Sequence, residues 1–125
     1  MPIHSPSLRL RQRIHYGNAI AMGPGKAQLL QQIAASGSIS AAAREMGMSY
    51  RRAWLLVDTL NQCFRSPLIE TAAGGSGGGG AQITELGHQV LTLYQQIEAK
   101  TTAAVASELT ELEALLAAQP PSDPH

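Results

Sequence analysis

Two adjacent arginines, Arg51 and Arg52, directly follow Ser49 and Tyr50. A guanidinium group carries its N–H donors in a planar fork, which suits paired bonds to phosphate oxygens or to the O6 and N7 acceptors of guanine. Tyr50 adds a side chain able to touch a phosphate or a thymine methyl group. Lys26 and Arg9, Arg11 and Arg13 supply further cations upstream. Gly74-Gly75-Ser76-Gly77-Gly78-Gly79-Gly80 could cradle an anion through its backbone N–H groups. It lacks the Lys-Ser/Thr pair that completes a nucleotide-binding loop. His4, His15, His88 and His125 lie far apart, and Cys63 has no neighbour at metal-ligand spacing, so neither a metal site nor a thiol nucleophile is expected. Nothing resembles clustered catalytic carboxylates or a Ser-His-Asp order. The expectation is a protein that is not an enzyme and that takes no cofactor.

The chain has 125 residues and a formal net charge of zero, but its charges are segregated. Arg9, Arg11, Arg13, Lys26, Arg44, Arg51, Arg52 and Arg65 stand before Pro67, against only Glu45 and Asp58. Beyond it, Lys100 faces Glu70, Glu85, Glu98, Glu108, Glu111, Glu113 and Asp123. A basic half beside an acidic half fits an anionic partner on one face. With one Trp and one Phe, and Ala and Leu abundant, the composition favours close helix packing over an aromatic pocket. No apolar run reaches bilayer length, no secretory signal opens the chain, and the single cysteine cannot pair internally. A cytoplasmic protein without membrane contact is expected.

Elements must hold these residues in place. The alternation from Ser7 to Ile14, ahead of Gly17, predicts a strand with a wet, basic face. Pro24 suits a first helical turn, and Ala27, Leu30, Ile33 and Ala34 give helical spacing up to Gly37. Ser38 caps a second helix, Ile39 to Met46, that stops at Gly47. Ser49 caps a third, with Ala53, Trp54, Val57 and Leu60 as an apolar stripe. Leu68–Thr71 and Ala81–Thr84 flank the glycine stretch as the strands of a hairpin. Thr84 caps a long last helix bearing Leu86, Val90, Leu93, Ile97, Val105, Leu109, Leu112 and Leu116, with a break expected near Lys100-Thr101-Thr102. An apolar face that long on a terminal helix calls for a partner, and a second copy of the chain is the simplest one.

The segment from Ile39 to Trp54 has the order of a helix-turn-helix. Ala43 is small where two helix backbones approach, Gly47 accepts a left-handed turn, and Met48 closes the turn from inside. The third helix then presents Ser49, Tyr50, Arg51 and Arg52 at its start, where a recognition helix meets base edges in the major groove. Trp54 is expected in the core.

The chain resembles the N-terminal DNA-binding domain of the ModE family of molybdate-responsive regulators, related to the LysR-type winged helices. The resemblance runs from about Leu8 to about Glu98. It is carried by Gly37-Ser38-Ile39-Ser40-Ala41-Ala42-Ala43, Gly47-Met48-Ser49-Tyr50, Ala53-Trp54, Pro67-Leu68-Ile69-Glu70 and Gly74 to Ala81, followed by Thr84 and Gly87. It implies a mainly α winged helix-turn-helix with a small β-hairpin wing and a long C-terminal dimerisation helix. It also implies a homodimer, built largely from the N-terminal segment and the helix after the wing, on double-stranded DNA. Ser49, Tyr50, Arg51 and Arg52 fall on the family's recognition-helix positions, and the wing, with Gly75, Ser76 and Gly77, would lie near the DNA backbone. Thr71 and Ser76 depart from the pattern, standing where basic residues are usual. No molybdate-binding domain follows the module here, so the expectation is a regulator without its own ligand sensor, tied to molybdenum by kinship alone.

The expected DNA-binding residues are therefore Ser38, Ser49, Tyr50, Arg51, Arg52, Lys26, Gly75, Ser76 and Gly77. The expected division is a DNA-binding domain over 1–83 with its wing about 68–84, a helical dimerisation segment over 84–118, and a flexible tail over 119–125. The alternative is a winged-helix dimer that recruits a protein, with the acidic stretch Glu108-Leu109-Thr110-Glu111-Leu112-Glu113 as its surface and little or no DNA binding.

Overall fold

The computed structural model describes residues 8–72 and 80–122. Its elements follow in the order β1 (Ile14–Tyr16), β2 (Ala19–Met22), α1 (Pro24–Ser36), α2 (Ile39–Glu45), α3 (Tyr50–Cys63), β3 (Ile69–Ala72), β4 (Gly80–Ile83), α4 (Glu85–Ala104) and α5 (Ala106–Glu113). This is a winged helix-turn-helix: three short helices, a hairpin, and a long helix after it.

The alternating stretch before Gly17 is not a strand over most of its length. Residues 8–13 have no regular structure, and only Ile14–Tyr16 pairs, antiparallel with Ala19–Met22. Gly17 makes the reversal at φ 60°, a conformation that suits glycine. The second strand, too short to show a period, was absent from the sequence expectation.

The three helices begin and end where their capping residues dictate. Pro24 opens α1. Gly37 closes it at φ 71°, its N–H donating to the Ile33 carbonyl at 2.8 Å. The Ser38 side chain accepts from the Ala41 N–H to start α2, and Ser49 accepts from the Arg52 N–H to start α3, both at 3.1 Å. Gly47, at φ 69°, turns the chain between them. Ala42, Ala43 and Ala53 are buried where α2 and α3 cross, and Leu29, Leu30, Ile33, Val57, Leu60 and Leu68 fill the core beneath. Leu29 takes the inward position expected of Ala34, which is exposed.

The wing strands pair in register, Ile69 with Ile83 and Ala72 with Gly80. The hairpin is fastened at three points. The Asn61 amide of α3 accepts from the Leu68 and Ile69 N–H groups at 2.8 and 3.1 Å and donates to the Ile69 carbonyl at 3.1 Å. The Ala81 N–H donates to the Gly37 carbonyl at 2.9 Å. Thr84 caps α4, and its hydroxyl also donates to the Pro67 carbonyl at 2.8 Å.

From α4, Leu91 and Tyr94 reach the core, while Leu93 and Ile97 of the expected stripe face outward. The Tyr94 hydroxyl donates to the Gln12 carbonyl at 2.6 Å, and the Gln12 side-chain amide bonds Thr101. These two bonds strap residues 8–13 onto α4. The helix runs through Lys100-Thr101-Thr102 and breaks at Val105 instead. The Thr101 hydroxyl bonds back to the Ile97 carbonyl at 2.7 Å, so the β-branched pair is absorbed inside the helix.

Candidate nucleic-acid interface

Ser49 fixes the start of α3, and the next three side chains point away from the body: Tyr50, Arg51 and Arg52 are all exposed. Ser49 uses a hydroxyl lone pair for the Arg52 N–H, which leaves its own O–H as a donor. The buried Ala53, Val57 and Leu60 set the opposite face of the helix against the core.

Trp54 differs from its expected place. It is half-buried, packed against the edge of the core, and it supports Tyr50. The two rings meet edge-to-face, centroids 6.2 Å apart and planes at 78°. Together they form one wall of a notch of about 150 Å³, completed by Ser38, Ile39 and Ser40 from α2 and by Thr71, Gly80 and Ala81 from the wing base. The Trp lies on the stripe as drawn from the sequence, but the stripe's edge faces this notch.

Ser38 thus stands beside Tyr50, its hydroxyl serving the α2 cap and lying 3.1 Å from the Ser40 hydroxyl. Lys26 is in the first turn of α1, partly buried. Its pKa is lowered from 10.5, chiefly by that burial and further by Arg52 and Arg13, against an opposing contribution from Cys63. The fold therefore gathers Lys26, Arg13 and Arg52 into one cationic neighbourhood whose charges disfavour one another, a setting in which an added anion is favourable. Arg9 and Arg11, on the strapped segment, are exposed. Gly75, Ser76 and Gly77 lie outside the described residues.

Sequence reasoning missed Asn61, whose three bonds orient the wing relative to α3, and Leu55, which is 53% exposed in the middle of the outward face of α3. An Asn on a helix gives no signal of its role until the strand beside it is placed. Among the described residues no group of three or more His, Cys, Asp or Glu side chains is arranged to hold a metal ion, and no helix is long and apolar enough to cross a membrane. Cys63 is half-buried at the end of α3.

Comparison with known proteins agrees with this geometry. The family model for the bacterial regulatory helix-turn-helix protein, lysR family, matches residues 25–88, just over half of the chain, from the first turn of α1 to the start of α4. The chain is 43% identical over 84 residues to the molybdenum-pterin-binding protein MopA of Rhodobacter capsulatus, covering 67% of this chain and 32% of that one. It is 37% identical over 116 residues to the DNA-binding transcriptional dual regulator ModE of Escherichia coli (strain K12), covering 90% of this chain and 42% of that one. Against the molybdenum transport protein ModE of Azotobacter vinelandii it is 35% identical over 85 residues, covering 68% and 32%. The chain spans between about a third and two fifths of the length of these curated relatives.

Proposed function

The chain belongs to the lysR family of bacterial regulatory helix-turn-helix proteins, and from that premise we propose that it is a transcriptional regulator, not an enzyme, that reads double-stranded DNA as a homodimer. The observation that carries this reading is the outward display of Tyr50, Arg51 and Arg52 at the capped start of α3. With α3 in the major groove, Arg51 and Arg52 contact bases or phosphates, while Ser49, Tyr50 and Ser38 touch the backbone nearby. Lys26 draws phosphate toward its cationic neighbourhood. The wing, with Gly75, Ser76 and Gly77, follows the adjacent backbone.

Dimerisation is supported by apolar surface on the strapped segment and the last two helices. Leu8 and Leu10 of the strapped segment, with Thr102, Ala106 and Leu109, line a groove of about 620 Å³. Leu93, Ile97, Leu112, Leu115 and Leu116 are exposed on or just beyond α4 and α5. Covering these side chains with a second copy would set two α3 helices about one turn of DNA apart, on a roughly palindromic site. In this reading 1–83 binds DNA, 84–118 dimerises, 119–125 is a tail, and the protein acts in the cytoplasm. Kinship with proteins named for molybdenum transport and molybdenum-pterin binding supports target genes in molybdenum metabolism.

The test is binding to the DNA upstream of the protein's own coding sequence and to a shuffled duplex of equal length, across a salt series, with the Arg51→Ala/Arg52→Ala variant alongside. Preference for the upstream duplex, lost in the variant, supports a DNA reader. Equal binding to both duplexes, followed by no enrichment in a selection from random DNA, would refute it in favour of protein recruitment.

A further inference from the structure

Most large apolar side chains left exposed among the described residues lie on the strapped segment, α4, α5 and the turn beyond. Two stand on α3: Tyr50, whose ring rests edge-on against Trp54, and Leu55. A single exposed leucine is ordinary on a protein surface. The position of this one is not. Leu55 follows Arg51 by four residues and Arg52 by three, spacings that make the three side chains neighbours on one helix face. The opposite face holds Ala53, Val57 and Leu60 in the core. At about 1.5 Å of rise per residue, Leu55 sits roughly 7.5 Å along the axis from Tyr50. That keeps it inside a major groove about 12 Å wide when the start of α3 is inserted. No polar atom of Leu55's side chain could bond a base, and the one apolar group that base edges offer in that groove is the C5-methyl of thymine.

We propose that Leu55 is a specificity-determining residue that packs against a thymine methyl in each half-site, beside the base or phosphate held by Arg51 and Arg52. This rests on the DNA-reading function above. It adds an aliphatic contact, independent of charge, to an interface whose other members are cations, hydroxyls and the Tyr50 ring.

The experiment uses the full chain and duplexes selected by it from a random library. Each thymine of a half-site is replaced in turn by deoxyuridine, which removes the methyl and keeps every hydrogen-bonding group. For the wild-type chain, one position should lose about three- to fivefold in affinity, the worth of one methyl group taken from water. Leu55→Ala should bind the thymine duplex more weakly and show no further loss at that deoxyuridine, whereas Leu55→Met, which can still reach the methyl, should keep part of it. Because Leu55 is exposed, circular dichroism melts of both variants should match the wild type. Selective binding with no thymine sensitive to methyl removal, or a Leu55→Ala variant with the wild-type sensitivity, would overturn this proposal and leave DNA reading intact. A wild-type chain that enriches no sequence would overturn both.

Discussion

Gly87 is the most crowded of the described glycines, and replacing it with alanine puts a calculable load on the joint between wing and long helix. A methyl group there would collide with the Leu68 carbonyl oxygen and the Ile83 side chain. The carbonyl cannot retreat cheaply, since it accepts from the Thr84 N–H at 2.9 Å and lies 3.3 Å from the Thr84 hydroxyl. Overpacking of this kind costs about 1–3 kcal/mol, and losing a bond at Leu68 adds about 1 kcal/mol. Against this, exchanging glycine for alanine inside a helix gains about 1 kcal/mol. The net expectation for Gly87→Ala is a loss of roughly 1–3 kcal/mol, a sizeable share of the 5–15 kcal/mol typical of a domain. Gly25 is the internal control: it lies in the first turn of α1, and a methyl group there meets nothing within 4 Å. Gly25→Ala should stabilise by about 0.5–1 kcal/mol. Urea denaturation of both variants and the wild type, at one protein concentration, measures the difference directly. Gly87→Ala as stable as Gly25→Ala would show that α4 slides freely over the wing base, and the reasoning would fail.

Asn61→Ala should leave the Leu68 and Ile69 N–H groups without their side-chain acceptor and cost about 2–3 kcal/mol by denaturation; a neutral result would mean water replaces the amide at no loss. Lys26→Met should raise stability and weaken DNA binding together, with the salt slope flatter by about 0.9 if one phosphate contact is lost. The sign follows from a folded pKa lowered below 10.5: the charged form is disfavoured on folding, so wild-type stability rises as pH climbs through the lowered value, and the methionine variant lacks that rise. Tyr94→Phe should cost about 1 kcal/mol and speed amide exchange in residues 8–13. Burial, and then the Glu98 charge, raise the Tyr94 pKa above 10.0. The phenol's contribution is therefore fully present below pH 10.0 and lost as pH rises through the folded value, a loss that denaturation of the Phe variant should not show.

Much of this fold was legible because its punctuation is local. Gly37, Gly47, Ser38, Ser49 and Thr84 act through bonds and dihedrals within a few residues of themselves, so each boundary they set could be read from the residue type. The failures arose where a distant contact decides. Residues 8–13 alternate like a strand, yet the carbonyl and side chain of Gln12 bond Tyr94 and Thr101 on α4, more than eighty residues away, and the segment takes no strand conformation. Ala34 and Leu29 are both compatible with the helical period of α1, and only the packing of the other elements against that helix selects Leu29. The clustered β-branched residues point to a helix break near Lys100-Thr101-Thr102, but the Thr101 hydroxyl bonds a carbonyl one turn back and the backbone yields at Val105.

The same distinction divides the candidate interface. The positions of Ser49, Tyr50, Arg51 and Arg52 follow from one cap and one helix, so their display was deducible without a fold. What the sequence could not disclose is how that display is held against the wing. Trp54 braces Tyr50 from within α3 and faces Thr71 and Gly80 of the wing base across the notch, while Asn61, farther along α3, bonds the first strand of that wing. The exposed start of α3 and the wing base are thus linked through α3 itself, by Trp54, which periodicity assigns to the core, and by Asn61, which it passes over. A charge-patterned reading finds the cations; the contacts that fix their helix relative to the wing base are made by Trp54 and Asn61.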